Sequence, residues 1–165
     1  MKKRILYLAV AYLVGFSLVP SAFAATAVGA MTVTATVISA CLVSAGILNF
    51  GATIDPTSTV VPLNATGTLN VTCTAATAYT VALSAGVNAG GATNFSARAI
   101  KIGVNTIGYQ LYNDAGLTVV WGVGTSSTNT TGGTGNGFAQ SLTVYGRIPV
   151  LSGAVPGIYT VTITY

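Results

Sequence analysis

The chain of 165 residues carries six Lys or Arg, two Asp or Glu and no His, a formal net charge of +4. Two carboxylates without an imidazole leave almost nothing to shuttle a proton near neutral pH or to hold a metal ion, so an enzyme, a metal site and a bound cofactor are all unexpected. Hydrophobic residues reach 52%, yet 20 glycines and a background of Thr, Ser and Asn run among them, which excludes a helical bundle and a multispan membrane protein and fits an exported β protein.

The first element is a leader. Lys2, Lys3 and Arg4 precede an almost unbroken apolar run from Ile5 to Val19, Pro20 ends it, and Ala22-Phe23-Ala24 supplies a small-x-small cleavage pattern. This is the layout of a secretory signal peptide over residues 1–24. The run falls short of the roughly 20 residues that cross a bilayer, and no second hydrophobic span follows it. Without the leader only Arg98, Lys101 and Arg147 remain against Asp55 and Asp114. The basic character therefore belongs to the leader, and the remainder makes no nucleic-acid patch.

Alternation at period two begins at once after the leader. Gly29, Met31, Val33, Ala35 and Val37 fall on one parity and Thr32, Thr34 and Thr36 on the other. Cys41 and Cys73 are the only cysteines, and an oxidising compartment lets them pair. The closed loop of about 33 residues is worth ~3.7 kcal/mol in the chain-entropy account. A reactive thiol would instead need a base or cation beside it, and none is adjacent in sequence.

Further runs follow in order. Leu69, Val71 and Cys73 alternate with Thr68, Asn70 and Thr72; Tyr79, Val81 and Leu83 alternate with Thr80, Ala82 and Ser84. Ile107, Tyr109 and Leu111 repeat the pattern, then Leu142, Val144 and Gly146, and last Tyr159, Val161, Ile163 and Tyr165. Threonine on the polar face suits a half-solvated antiparallel sheet. Between the runs lie turn signals at Asp55-Pro56, Gly86 to Gly91, Asn113-Asp114, Gly132-Gly133 and Pro156-Gly157. Both aspartates thus read as turn formers rather than a catalytic pair. Arg98 and Lys101 read as cations that could attract a surface or a partner. Trp121 reads as a core aromatic ahead of a sugar-stacking platform. Residues 124–137, poor in any side chain that could anchor a core, read as an exposed hairpin loop. Short strands separated by such turns predict a single domain, a β-sandwich or a barrel, with the sandwich favoured for a chain of about 140 residues.

Both ends of that sandwich are unusual. The final strand, Gly157 to Tyr165, has no following residues to return as its hairpin partner, and the segment from Ala25 to about Ala35 looks like a strand without a host. One solution answers both: the leading segment of another copy supplies the neighbour of the last strand. In an isolated chain that segment should be either loose or folded back along its own groove.

The context of Cys41, the Leu48-Asn49-Phe50-Gly51 turn, the Leu69-Asn70-Val71-Thr72-Cys73 strand, Tyr109-Gln110-Leu111-Tyr112 followed by Asp114 and Trp121-Gly122, and Leu142 to Pro149 with the Gly157-Ile158-Tyr159 ending together resemble the spore coat protein U domain family. That family includes the Csu-type pilins of archaic chaperone-usher systems. The resemblance implies an all-β fold, an incomplete immunoglobulin-like β-sandwich lacking its last strand and completed by donor-strand complementation. It implies a donor segment over residues 25–35, with Gly29, Met31, Val33 and Ala35 as its inserting side chains, and a pilin-like domain over residues 36–165. It places Tyr159, Val161, Ile163 and Tyr165 on the strand beside the acceptor groove and makes Cys41 and Cys73 the family disulfide. The partners implied are neighbouring pilin subunits, a periplasmic chaperone and an outer-membrane usher. The localisation implied is the surface of a Gram-negative bacterium, reached through the periplasm, and the role is a structural fibre subunit supporting attachment and biofilm formation. A donor segment points to a subunit inside the fibre rather than a distal adhesin, for which an extra binding domain is expected. The alternative is a secreted monomeric carbohydrate-binding or coat module.

Overall fold

The computed structural model describes residues 27–57 and 59–165, so the leader expected over residues 1–24 lies outside the described residues. The chain divides after Thr36. Residues 27–36 carry no strand and every one of them is exposed, Met31 and Val33 included. Val37–Tyr165 forms a compact unit of its own.

Eight strands make up that unit: β1 Cys41–Ala45, β2 Leu63–Cys73, β3 Ala78–Val81, β4 Ala99–Ile102, β5 Asn105–Gly108, β6 Gln110–Tyr112, β7 Thr131–Thr134 and β8 Ala139–Ile148. One short 3-10 turn, Phe95–Ala97, is the sole helical element among the described residues. The long strands β2 and β8 lie antiparallel at the centre of a four-stranded sheet of order β1-β2-β8-β6. Their alternation dictates the facing. Leu69, Val71 and Cys73 on β2 and Val144 and Ile148 on β8 are buried on the inner side. On the outer side Ser141 donates to Asn70 Oδ1 at 2.7 Å and Arg147 Nε to Asn64 Oδ1 at 3.1 Å, so the polar parity is spent on cross-strand pairs.

Two ribbons, β3 with β7 and β4 with β5, supply the facing layer. Val81 of β3 and Ile107 of β5 meet Leu69, Val71, Leu111, Val144 and Trp121 in one apolar cluster. Trp121 is wholly buried and donates its indole N–H to the Val81 carbonyl at 3.0 Å, which satisfies its one polar atom inside the core. The expectation of a core aromatic holds.

The disulfide forms as expected. Cys41 and Cys73 sit directly opposite in the β1–β2 register, with Cα atoms 4.1 Å apart, and bond to each other. The bridge fastens the edge strand β1 to the central strand.

Residues 124–137 correct the sequence reading. They are not simply an exposed loop: Thr128 is buried, and Thr131–Thr134 is β7, paired with β3. The glycines that look empty in sequence are what the pairing needs. A Cβ on Gly133 would lie 2.8 Å from the Tyr79 hydroxyl oxygen, and one on Gly132 only 2.7 Å from the Tyr79 carbonyl. Tyr79 covers a strand made flat by the absence of side chains.

Candidate functional site

The last eight residues, 158–165, run extended but form no named strand. The continuous strand expected for Gly157 to Tyr165 is reduced to a single bridge, Thr160 with Lys101 of β4. Lys101 N–H donates to Thr160 O at 3.0 Å and Thr160 N–H to Lys101 O at 3.2 Å; Val87 N–H reaches Thr162 O at 3.4 Å and Ser84 N–H reaches Thr164 O at 2.9 Å. All of these bonds fall on even-numbered residues. In an extended chain the N–H and C=O of alternate residues point to opposite edges, so the odd-numbered residues address the other side. There, Tyr159, Val161 and Ile163 make no backbone hydrogen bond among the described residues.

The side chains of those same three residues are half-buried and pack against the main apolar cluster, while Thr160, Thr162 and Thr164 are exposed. They line a cleft of about 1110 Å³ that reaches down to Leu83, Ile100, Ile107, Tyr109, Leu111, Val144 and Ile148. The end of β1 and the stretch after it, residues 45–52 and 54–57, line it too. Within that stretch the Asn49 side-chain oxygen accepts the Gly51 N–H at 2.9 Å and closes a tight local turn that aims Leu48 and Phe50 at the inner face of the sheet. Gly146 of β8 makes room for them: a Cβ there would sit 2.9 Å from both Leu48 Cδ2 and Phe50 Cζ. The Phe50 ring meets Tyr109 edge-on, centroids 6.4 Å apart. The cleft thus has apolar walls, and along the tail it has a row of unpaired backbone donors and acceptors.

Of the residues singled out in sequence, Tyr159, Val161 and Ile163 come together at this cleft, and Tyr165 lines it while half exposed. Gly29, Met31, Val33 and Ala35 are exposed in the other unit. Asp114 closes its turn by accepting Val119 N–H at 2.7 Å, Thr118 N–H at 3.0 Å and the Thr118 hydroxyl at 2.8 Å. The Val119 bond is the main cause that holds its carboxyl below the usual range. Asp55 accepts Thr57 N–H at 2.8 Å in an Asx turn. Both aspartates are the turn formers expected of them. Among the described residues no group of three or more His, Cys, Asp or Glu could hold a metal ion.

Arg98 overturns its reading as a surface cation. It is 2% exposed and has no carboxylate partner among the described residues: Nη2 donates to the carbonyls of Ser84 and Trp121, both at 2.8 Å, and Nη1 to Gln110 Oε1 at 2.7 Å. Its guanidinium lies 5.1 Å from the Phe95 ring centroid. Burial pulls its pKa down to about 10 against a smaller opposing pull from Tyr109. Burial likewise pushes Tyr109, whose hydroxyl has no hydrogen-bond partner, up to about 12, with Arg98 opposing. At neutral pH the guanidinium is charged and the phenol neutral. An isolated Arg between Ala97 and Ala99 gives no sign of this in sequence, since its partners are set by the fold.

These features define an all-β sandwich whose sheets are not closed along the tail. The chain belongs to the spore coat protein U domain family, whose model matches residues 27–165. Among solved structures it is similar to a chain of the CsuC–CsuE chaperone–tip adhesion subunit pre-assembly complex from the archaic chaperone-usher Csu pili of Acinetobacter baumannii, with a TM-score of 0.53 and 22% identity. The match covers 78% of this chain and 39% of that one, so this chain spans about two fifths of the length of the chain it matches. At this identity the likeness is one of fold. No curated protein matches.

Proposed function

We propose that this chain is a structural subunit of a secreted surface fibre of the archaic chaperone-usher kind, polymerising by donor-strand exchange and serving attachment and biofilm formation. Residues 25–35 of one copy are the donor, and the edge of Tyr159, Val161, Ile163 and Tyr165 of the next copy is the acceptor. The observation that carries this reading is the coincidence of unpaired backbone and apolar cleft on one set of residues, Tyr159, Val161 and Ile163. A strand laid along that edge gains ladder bonds from its backbone and buries alternate side chains at once. Met31 and Val33, now 88% and 84% exposed, would each gain roughly 1.5–3 kcal/mol on full burial. Gly29 and Ala35 would fit shallower positions.

The same cleft would need cover before assembly, which is the part of a periplasmic chaperone; the similar Csu structure is itself a chaperone–subunit complex. Export through the periplasm, with the leader of residues 1–24 removed, and passage through an outer-membrane usher complete the route to the surface. The reading as a carbohydrate-binding module loses its platform, because Trp121 is sealed in the core.

The test compares the mature chain with one lacking residues 25–35. The mature chain should multimerise, and the shortened chain should remain able to receive a synthetic 25–35 peptide but unable to extend a fibre. Long fibres from the shortened chain would refute the donor assignment.

A further inference from the structure

The tail has an unpaired edge on one side, and what holds its other side is equally telling. No continuous strand flanks it there. β4 contributes only Lys101, and the rest of the contact comes from residues 84–88, which form no strand. Gly86 in that stretch has φ +90, a conformation that breaks a ladder, and its missing side chain lets Val161 and Ile163 lie over it; a Cβ would stand 2.9 and 2.8 Å from them.

Two side chains add to the few backbone rungs. Ser84 gives Thr164 both bonds a strand partner would give: its N–H donates to Thr164 O at 2.9 Å and its hydroxyl oxygen accepts Thr164 N–H at 3.0 Å. Asn88 Nδ2 donates to Thr160 O and to Ala99 O, both at 3.1 Å, and so ties the tail to the first residue of β4. Ser84 faces Thr164 and Asn88 faces Thr160, so the two pins lie four residues apart on both chains, in antiparallel register. The first pin is itself anchored, since the buried Arg98 guanidinium holds the Ser84 carbonyl at 2.8 Å.

We propose that Ser84 and Asn88 are positioning residues for strand uptake: they hold the tail extended and in register, so that its unpaired edge is formed before a donor arrives. This rests on the reading of the tail as an acceptor. A segment held by so few backbone rungs frays without such pins, and the cost of ordering it would then fall on each binding event. The pins shift that cost into folding. Their effect belongs to the rate of uptake, and to affinity through it, rather than to the lifetime of the docked strand, which supplies its own ladder to the tail.

The experiment follows a synthetic peptide of residues 25–35 binding to the chain lacking residues 25–35, whose groove no neighbour's donor occupies, with association and dissociation rates measured separately. Ser84→Ala should slow association about fivefold, the factor carried by one net hydrogen bond, with dissociation unchanged; Ser84→Thr, which keeps the hydroxyl, should restore the rate. Asn88→Asp turns the donor into an acceptor facing two carbonyls and should slow association further. If it fails to fold, Asn88→Ala removes the donor without the repulsion and should match Ser84→Ala. Wild-type association rates in Ser84→Ala and in the Asn88 variant that folds would overturn the proposal, as would a loss confined to dissociation or a Thr variant that fails to rescue. If the shortened chain with Ser84 and Asn88 intact takes up no peptide, the acceptor reading itself fails. The pins are then judged by amide exchange: Ser84→Ala must speed exchange at Thr164 but not in β2 or β8, and unchanged exchange at Thr164 overturns them.

Discussion

Replacing Arg98 by Met tests whether the core depends on a buried charge that no carboxylate balances. Methionine fills much of the volume of the arginine stem, so the change removes chiefly the three short hydrogen bonds to Ser84 O, Trp121 O and Gln110 Oε1 and the contact with the Phe95 ring. Bonds from a charged donor are worth roughly 1.5–3 kcal/mol each, and recovery of the guanidinium's desolvation offsets part of the loss. Replacing a buried ion pair wholesale can be neutral, because both charges leave together. Here the acceptors stay. The Ser84 and Trp121 carbonyls remain in the interior, each costing about 1–3 kcal/mol if left unmatched. A net loss of about 3–5 kcal/mol follows, a large share of the ~5–15 kcal/mol that holds a domain together. With a urea slope of about 2 kcal/mol per molar, the unfolding midpoint of the disulfide-intact mature chain should fall by about 2 M. Arg98→Lys keeps a charge but lacks the planar fork, and should fall between the two. A Met variant within about 1 kcal/mol of the wild type would refute this account of the core.

The Cys41–Cys73 bridge closes a separation of 32 residues, so reduction, or replacement of both by Ser, should cost ~3.7 kcal/mol; a midpoint that reductant leaves unchanged would show that the edge strand needs no fastening. Tyr109 and Arg98 make opposing alkaline contributions. Tyr109 keeps its proton in the fold up to about 12, so its stabilisation is complete below its unfolded value near 10 and is lost as pH rises through about 12. Arg98, lowered to about 10 in the fold, releases its proton first there, so its contribution to stability rises as pH climbs from about 10 towards its ordinary value. Tyr109→Phe should therefore gain about 1 kcal/mol at neutral pH by removing an unpartnered buried hydroxyl, and should show urea midpoints that rise above pH 10 where the wild type changes little. A Phe variant whose midpoint stays flat or falls above pH 10 would refute the assignment.

The strands most legible in sequence were those whose signal is local. β2 and β8 announce themselves because side chains alternate across any extended backbone, and a half-buried sheet writes that alternation as Leu or Val against Thr or Asn. The same rule picked out Tyr159, Val161 and Ile163 as one face, and the structure places that face on the cleft. It could not disclose β7, because a strand of Thr and Gly has no apolar parity to read, and its requirement for glycine arises from Tyr79, which the fold brings across from β3.

The sequence by itself determined the lack of any imidazole, the pairing of two cysteines, the turns at Asp55 and Asp114, and the parity of the strands that alternate apolar with polar residues, β2 and β8 foremost. Each is a property of composition or of residues near one another in the chain. Tertiary structure alone decided that Arg98 is a core residue and that Ser84 and Asn88 hold the tail. The bonds that do so join residues 11 to 80 positions apart, and no local pattern specifies where a polar side chain will meet a carbonyl brought to it by the rest of the fold.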